Sequence, residues 1–140
     1  MQQHLATLTI ATAGRGLVDI TDRVAGELAA SGIGQGLATL FLRHTSASLL
    51  IQENADPAVR ADLDRFFARL VPDGDALFRH REEGPDDMPA HVRTALTAVS
   101  LSIPVQDGRL ALGTWQGIYL WEHRLRGHHR DVVLHALGDT

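Results

Sequence analysis

A chain of 140 residues with 44% hydrophobic content can bury the core of one domain unaided, and residues 1–140 contain no repeat, low-complexity tract or linker that would divide it. It has no Cys and no Lys, all thirteen basic residues being Arg, which excludes disulfides, thiolate metal sites, a cysteine nucleophile, a Schiff-base lysine and a P-loop lysine. The net charge of −4 without a basic block argues against nucleic acid, and the lack of a long apolar run or a basic-then-apolar leader argues against a membrane partner, so a cytoplasmic protein is expected.

In chain order, HLATLTIAT at 4–12 reads as a first strand. A helix follows, capped by Thr21, with Val24 and Leu28 one turn apart and the glycines at 32, 34 and 36 ending it. LATLFLRH at 37–44 is a strand, and SASLLIQE continues as another after a break near Thr45 and Ser46. Asp56 and Pro57 start a helix over 57–70 with Val59, Leu63, Phe66 and Leu70 on one face. Residues 73–86 have no period and read as a surface loop. Asp87 and Pro89 then open a helix that runs to about Ser100, its apolar face made of Met88, Val92, Leu96 and Val99. SLSIPV is a strand in which Pro104 calls for an edge or a bulge, Asp107–Gly108 is a turn, and RLALGTWQGIYLWEHR and DVVLHAL supply the last strands. This order does not alternate as parallel βαβ units do. The expected fold is α+β, a mainly antiparallel sheet or sandwich with helices packed against it.

Among eight histidines, His44, His80, His91 and His123 are the informative ones, and His44, His91 and His123 stand at element ends where chemistry is accessible. His44 shares parity with Ala38, Leu40 and Leu42, so it is either a core histidine bonded to backbone or part of a site. His91 lies in the first turn of its helix behind Asp86 and Asp87, where a neutral ring is favoured as base, donor or metal ligand. If the three converge, neutral imidazoles suit zinc or a similar transition metal with an open position for water or substrate, although no pair has a recognisable metal spacing. The hydroxyls of Thr45 and Ser46 can hold a phosphate or satisfy the local backbone. On the strand 115–123, parity places Trp115, Tyr119, Trp121 and His123 on one side and Gln116, Ile118, Leu120 and Glu122 on the other. Gly113 and Gly117 leave room for close approach beside Trp115 and Gln116.

HTSASLLIQENADPAVRADL, EGPDDMPAHVRTAL and SLSIPVQDGRLALGTWQGIYLWEHR, across residues 44–124, resemble the signature segments of the YjbQ-like family. The resemblance implies a small α+β homotrimer with a secondary thiamine-phosphate synthase activity, which joins a pyrimidine diphosphate to a thiazole phosphate and releases pyrophosphate. It carries over His44, Thr45, Ser46, Asn54, Asp56, Glu83, Gly84, Asp86, Asp87, His91, Arg109, Gly113, Thr114, Trp115, Gln116, Glu122 and His123. His80, in a loop of variable length, and Arg130 receive no role. The resulting expectation is a catalytic centre of His91, Asp87 and Glu122 and a divalent metal (zinc, manganese or magnesium) on His44, His91 and His123. Thr45, Ser46 and Arg109 would face phosphate, Trp115 would stack a heteroaromatic ring beside Gln116, and no organic cofactor is required. A metal-dependent hydrolase of a small phosphorylated metabolite and a non-catalytic trimer are the competing readings.

Overall fold

A computed structural model describes all 140 residues. Its elements are β1 (Gln2–Ala11), β2 (Gly16–Asp19), α1 (Thr21–Ser31), β3 (Gln35–Leu42), β4 (Ala47–Glu53), α2 (Pro57–Leu70), α3 (Asp87–Leu96), β5 (Ser100–Gln106), β6 (Arg109–Leu110), β7 (Gln116–Glu122) and β8 (His129–Asp139). Two sheets with antiparallel pairings form an α+β sandwich, one in the order β1-β8-β3-β5-β6 and the other β2-β7-β4. The period-two burial of the strands explains the layering. Leu8 and Ile10, Ala38, Leu40 and Leu42, and Val132, Leu134 and Ala136 point inward from the large sheet to meet Leu49, Ile118 and Leu120 of the small one. Val24 and Leu28 of α1 complete this core.

Several local expectations change. β2 was not anticipated: four residues with no clear alternation acquire strand geometry by pairing with β7. Thr21 is the first residue of α1 and does not cap it; Asp19 instead accepts from the Thr21 amide at 2.9 Å and hydroxyl at 2.6 Å. α3 stops at Leu96, short of Ser100, because the chain must turn there to bridge Ala98 to Leu49. The Asp107–Gly108 turn is present, with φ of 52° and 75°, and closes a β5–β6 hairpin. β6 and β7, however, belong to different sheets, so residues 111–115 cross from one layer to the other. Pro104 lies just past the pairs made with β6, and its carbonyl accepts from the Ala111 amide.

β7 is the middle strand of the small sheet and is buried on both faces from Gly117 to Glu122. Its outer face carries Tyr119 and Trp121, which α2 covers. Asp56 caps α2 as its sequence foretells, its carboxylate accepting from the Ala58 amide at 2.9 Å. Of the expected stripe, Val59 and Leu63 are half-buried, and the positions beside them, Arg60, Asp64 and Phe67, complete the inward face in place of Phe66 and Leu70. Arg60 donates to the Tyr119 hydroxyl at 3.1 Å, Asp64 accepts from the Trp121 indole at 3.0 Å, and the Phe67 ring stands edge-on to Trp121 at 4.8 Å. Phe66 and Leu70 are 58% and 53% exposed. Two polar side chains face the sheet because Tyr119 and Trp121 each bring a group that needs a partner. Phe67→Ala is therefore expected to lower unfolding free energy by roughly 2 kcal/mol, and Phe66→Ala by less than about 1, in urea titrations of the two variants.

Candidate functional site

The site grows from the start of α3. Asp86 is the N-cap residue, but its side chain makes no cap bond, and Asp87 does not cap either. Both carboxylates are turned to other tasks. Asp87 is 1% exposed. Its Oδ2 lies 2.8 Å from His80 Nε2 and 3.1 Å from His91 Nε2, so one oxygen gathers two imidazoles. Asp87 and His91 are one helical turn apart and share a face. His80 arrives from the loop before α3, and the ligating atoms of His80, Asp87 and His91 all lie within 4.8 Å of one another.

His91 is fixed by its other nitrogen. Its Nδ1 lies 2.9 Å from the Thr45 carbonyl, which can only accept, so Nδ1 carries a proton. In the neutral ring the Nε2 lone pair then faces the Asp87 carboxylate, and the contact is attractive only with a cation between them or a second proton on the ring. A backbone carbonyl on the far nitrogen is also the usual support of a metal-binding histidine.

Arg124 closes the other side. Its Nε donates to Asp86 at 3.0 Å, Nη1 to Asp87 Oδ1 at 2.8 Å and Nη2 to the Glu83 carbonyl at 2.8 Å. Gly84, with φ of 102°, turns the chain where it passes Asp86, and a Cβ there would stand 3.2 Å from an Asp86 oxygen. Burial opposes the charge on Asp86, but the Leu125 amide and the Arg124 guanidinium hold its carboxyl below the usual carboxylate range.

Of the expected metal set, only His91 belongs to this cluster. His44 Nε2 accepts from the Asp131 amide at 2.9 Å, which leaves that nitrogen no lone pair for a metal. His123 is fully buried, with Nε2 2.8 Å from the Ser48 hydroxyl and its ring tilted against Trp121. Glu122, expected to be catalytic, is 0% exposed and fully engaged. One oxygen accepts from Thr12 at 2.7 Å and Arg130 Nε at 2.9 Å, and the other from Arg130 Nη2 and the Arg124 amide. It is a structural anion. Burial opposes its charge too, but the Arg130 guanidinium keeps its carboxyl below the ordinary value. The Ser46 hydroxyl accepts from Arg130 at 2.9 Å and offers no open phosphate site, whereas Thr45 is exposed beside His91.

Arg109, Trp115 and Gln116 are elsewhere. Arg109 lies on β6 in a cleft beside α1. Trp115 is 64% exposed and Gln116 begins β7, its side-chain oxygen accepting from the Gly113 amide at 2.8 Å. Arg124 follows the opposite end of that strand, and a seven-residue strand spans about 20 Å. Within one chain these residues and the His80–Asp87–His91 cluster form no common site. Sequence reasoning singled out His80 but gave it no role, since it sits in an aperiodic loop, and it missed Arg124, one more arginine in a polar hairpin. The signal available was the DDMPAH segment, whose two carboxylates needed cationic or metal partners.

Burial, reinforced by the Arg93 guanidinium, holds His123 down to about 3 from an ordinary 6.5. The unfolded chain binds a proton on this ring below about 6.5 and the folded chain only near 3, so stability falls as pH drops through that window. The expected slope is up to about 1.4 kcal/mol per pH unit, and His123→Gln flattens its share of that slope. Urea unfolding of both proteins at about pH 6.5 and about pH 5 measures it, the window lying above the range where carboxylates titrate.

Residues 6–139 match the family model described as UPF0047 protein YjbQ-like. The chain is 54% identical over 139 residues to UPF0047 protein sll1880 of Synechocystis, covering 99% of this chain and 95% of that one. It is 46% identical to the UPF0047 protein YjbQ of Salmonella typhimurium, over 95% of this chain and 96% of the relative. Among solved structures, the hypothetical protein APE1520 of Aeropyrum pernix superposes with a TM-score of 0.88 at 31% identity, over 97% of this chain and 99% of the other. The conserved hypothetical protein TT1486 of Thermus thermophilus gives 0.84 at 36% identity, over 94% and 99%. The chain belongs to the UPF0047 YjbQ-like family.

Proposed function

We propose that this protein is a divalent-metal-dependent enzyme of a small phosphorylated metabolite, with its metal on His80, Asp87 and His91. The observation that carries the proposal is the meeting of two imidazole nitrogens on one Asp87 oxygen, with the His91 ring oriented by the Thr45 carbonyl. Two nitrogens and one carboxylate suit zinc or manganese better than magnesium, which prefers oxygen ligands and water. Three protein ligands leave positions for water or substrate. When bound, such an ion neutralises phosphoryl charge and lowers the pKa of a coordinated water.

The chain's own groups supply the rest. Asp87 contributes one oxygen to the cluster while Arg124 holds the other, so the carboxylate cannot rotate away. His80, 46% exposed at its side chain, is the most solvent-accessible member of the cluster. For a thiamine-phosphate synthase reaction, the carbon–oxygen bond to the leaving diphosphate breaks as the thiazole nitrogen bonds to the pyrimidine's methylene carbon. Stabilising the departing pyrophosphate is then the main task of a cationic site. A hydrolase would use the same ion on a water nucleophile.

We also propose that the chain works as a homotrimer in the cytoplasm. Leu5, Leu37 and Leu137 lie on the uncovered outer face of the large sheet with 41% to 70% exposure, an apolar surface that a second subunit would cover.

Protein purified without a histidine tag is expected to hold close to one zinc or manganese per chain by elemental analysis. His80→Ala, Asp87→Asn and His91→Ala should each lose it, while His123→Gln keeps it. Absence of metal from the folded parent after equilibration with both ions would overturn the proposal. With metal confirmed, coupling of the pyrimidine diphosphate to the thiazole phosphate, compared with phosphate release from simple monoesters, separates the transferase from the hydrolase.

A further inference from the structure

The hydrogen bonding of His44 is incomplete in an informative way. The Asp131 amide donates to Nε2 at 2.9 Å, and a backbone N–H has no other direction to point. Burial, followed by the Arg130 guanidinium, holds His44 below its ordinary pKa, so the ring is neutral near pH 7 and Nδ1 carries its one proton. Arg130 Nη1 nevertheless faces Nδ1 at 3.4 Å. Two N–H donors point at each other, and neither can accept.

Arg130 is 4% exposed, and its other nitrogens are committed, Nε to Glu122 and Nη2 to Glu122 and Ser46. Nη1 has no partner but His44. A guanidinium this deeply buried seldom leaves a donor unused unless an acceptor belongs beside it. His44 lines a cleft of about 540 Å³ that also reaches His91 and Thr45, with Phe41 and Val99 as apolar walls. Arg43 is the one arginine of its lining, and no carboxylate lines it. The neighbouring clefts differ: Glu83 and Asp86 line one, Asp75 the other. Opposing charges around His44 are Arg130 and Arg43 against Glu122 and Asp131, so the pocket is balanced until a metal on His91 adds positive charge.

We propose that this cleft is the phosphate subsite of the metal-centred site, an inference that rests on that reading, with His44 Nδ1–H donating to one phosphoryl oxygen while Arg43 faces the others from the rim. The metal supplies the neighbour on His91. The substrate's organic part then lies on Phe41 and Val99, with its phosphate toward β8 and its reacting end toward Asp87. Charge-assisted bonds to phosphate are the strong ones, and Arg43 is the residue of the lining that can make them.

The test uses the full chain, with and without one equivalent of zinc, and titrates inorganic phosphate and phenyl phosphate. Long-range nitrogen–proton spectra should show His44 as the Nδ1–H tautomer, with its resonances moving on phosphate addition. His44→Ala should weaken phosphate at least about tenfold with unchanged metal stoichiometry, and Arg43→Gln, at an exposed position that cannot disturb folding, about threefold. An Nε2–H tautomer at His44, or phosphate affinity unmoved in both variants, overturns the subsite and leaves an ordered water between the donors. Phosphate binding that survives His44→Ala but is lost with His91→Ala puts phosphate on the metal alone, and also overturns it. If the parent takes up no metal yet phosphate still moves His44, the metal centre fails and the subsite stands.

Discussion

The buried pair of Glu122 and Arg130 is the constraint on which the polar end of the molecule depends. Glu122 ends the central strand of the small sheet and Arg130 begins the long strand of the large one, so the pair ties the two layers together. Desolvating two charges costs several kcal/mol, and the pair is tolerable because nearly every lone pair and proton is used: Thr12, the Arg124 amide and Ser46 complete it. Removing one partner would leave an uncompensated buried charge, a loss of about 3–5 kcal/mol. The exception to this saturation is the Arg130 nitrogen that faces His44. In a network otherwise complete, that nitrogen meets only His44, the residue of the pair that lines the cleft.

From this anchor three consecutive residues distribute the architecture. Glu122 binds the opposite sheet, His123 binds Ser48 of the neighbouring strand β4, and Arg124 binds both carboxylates at the start of α3. Alternation along β7 makes this possible: Glu122 points between the sheets, His123 toward the outer face, and Arg124 continues past the strand into the loop region. The position of α3, and with it Asp87 and His91, is thereby set by the end of a strand buried on both sides. A site carried on such an element keeps its geometry better than one carried on loops alone. Only His80 comes from a loop.

Local chemistry was legible in the sequence, and convergence was not. Asp56–Pro57 and Asp107–Gly108 act over two or three residues, so their cap and turn could be read directly. The inward face of α2 was read only in part: Val59 and Leu63 are half-buried as expected, but Arg60 and Asp64 face Tyr119 and Trp121, and a count of apolar residues cannot see partners on another strand. The same blindness made Glu122 look catalytic: an acid in a glycine-spaced hairpin gives no sign that an arginine eight residues later will bury it. His91 and Asp87 were legible because they share one helical turn. His80 could be singled out but not placed, since a loop has no period from which to compute where its side chain points.

The two ends of β7 also constrain the chemistry. The GTWQG segment and the Asp87 cluster, which the family resemblance joins into one motif, stand about 20 Å apart, farther than a single heteroaromatic metabolite reaches. Trp115 therefore cannot stack on a ligand held by His91 of the same chain. Its 64% exposure is unusual for a tryptophan flanked by glycine and threonine turns, and nothing in its own subunit covers it. Any reaction that uses both ends must draw them from two chains, one lending its aromatic end and the other its carboxylate and imidazoles. A reaction confined to one chain must do without Trp115, and its aromatic wall is then Phe41, in the cleft that already holds His44 and His91.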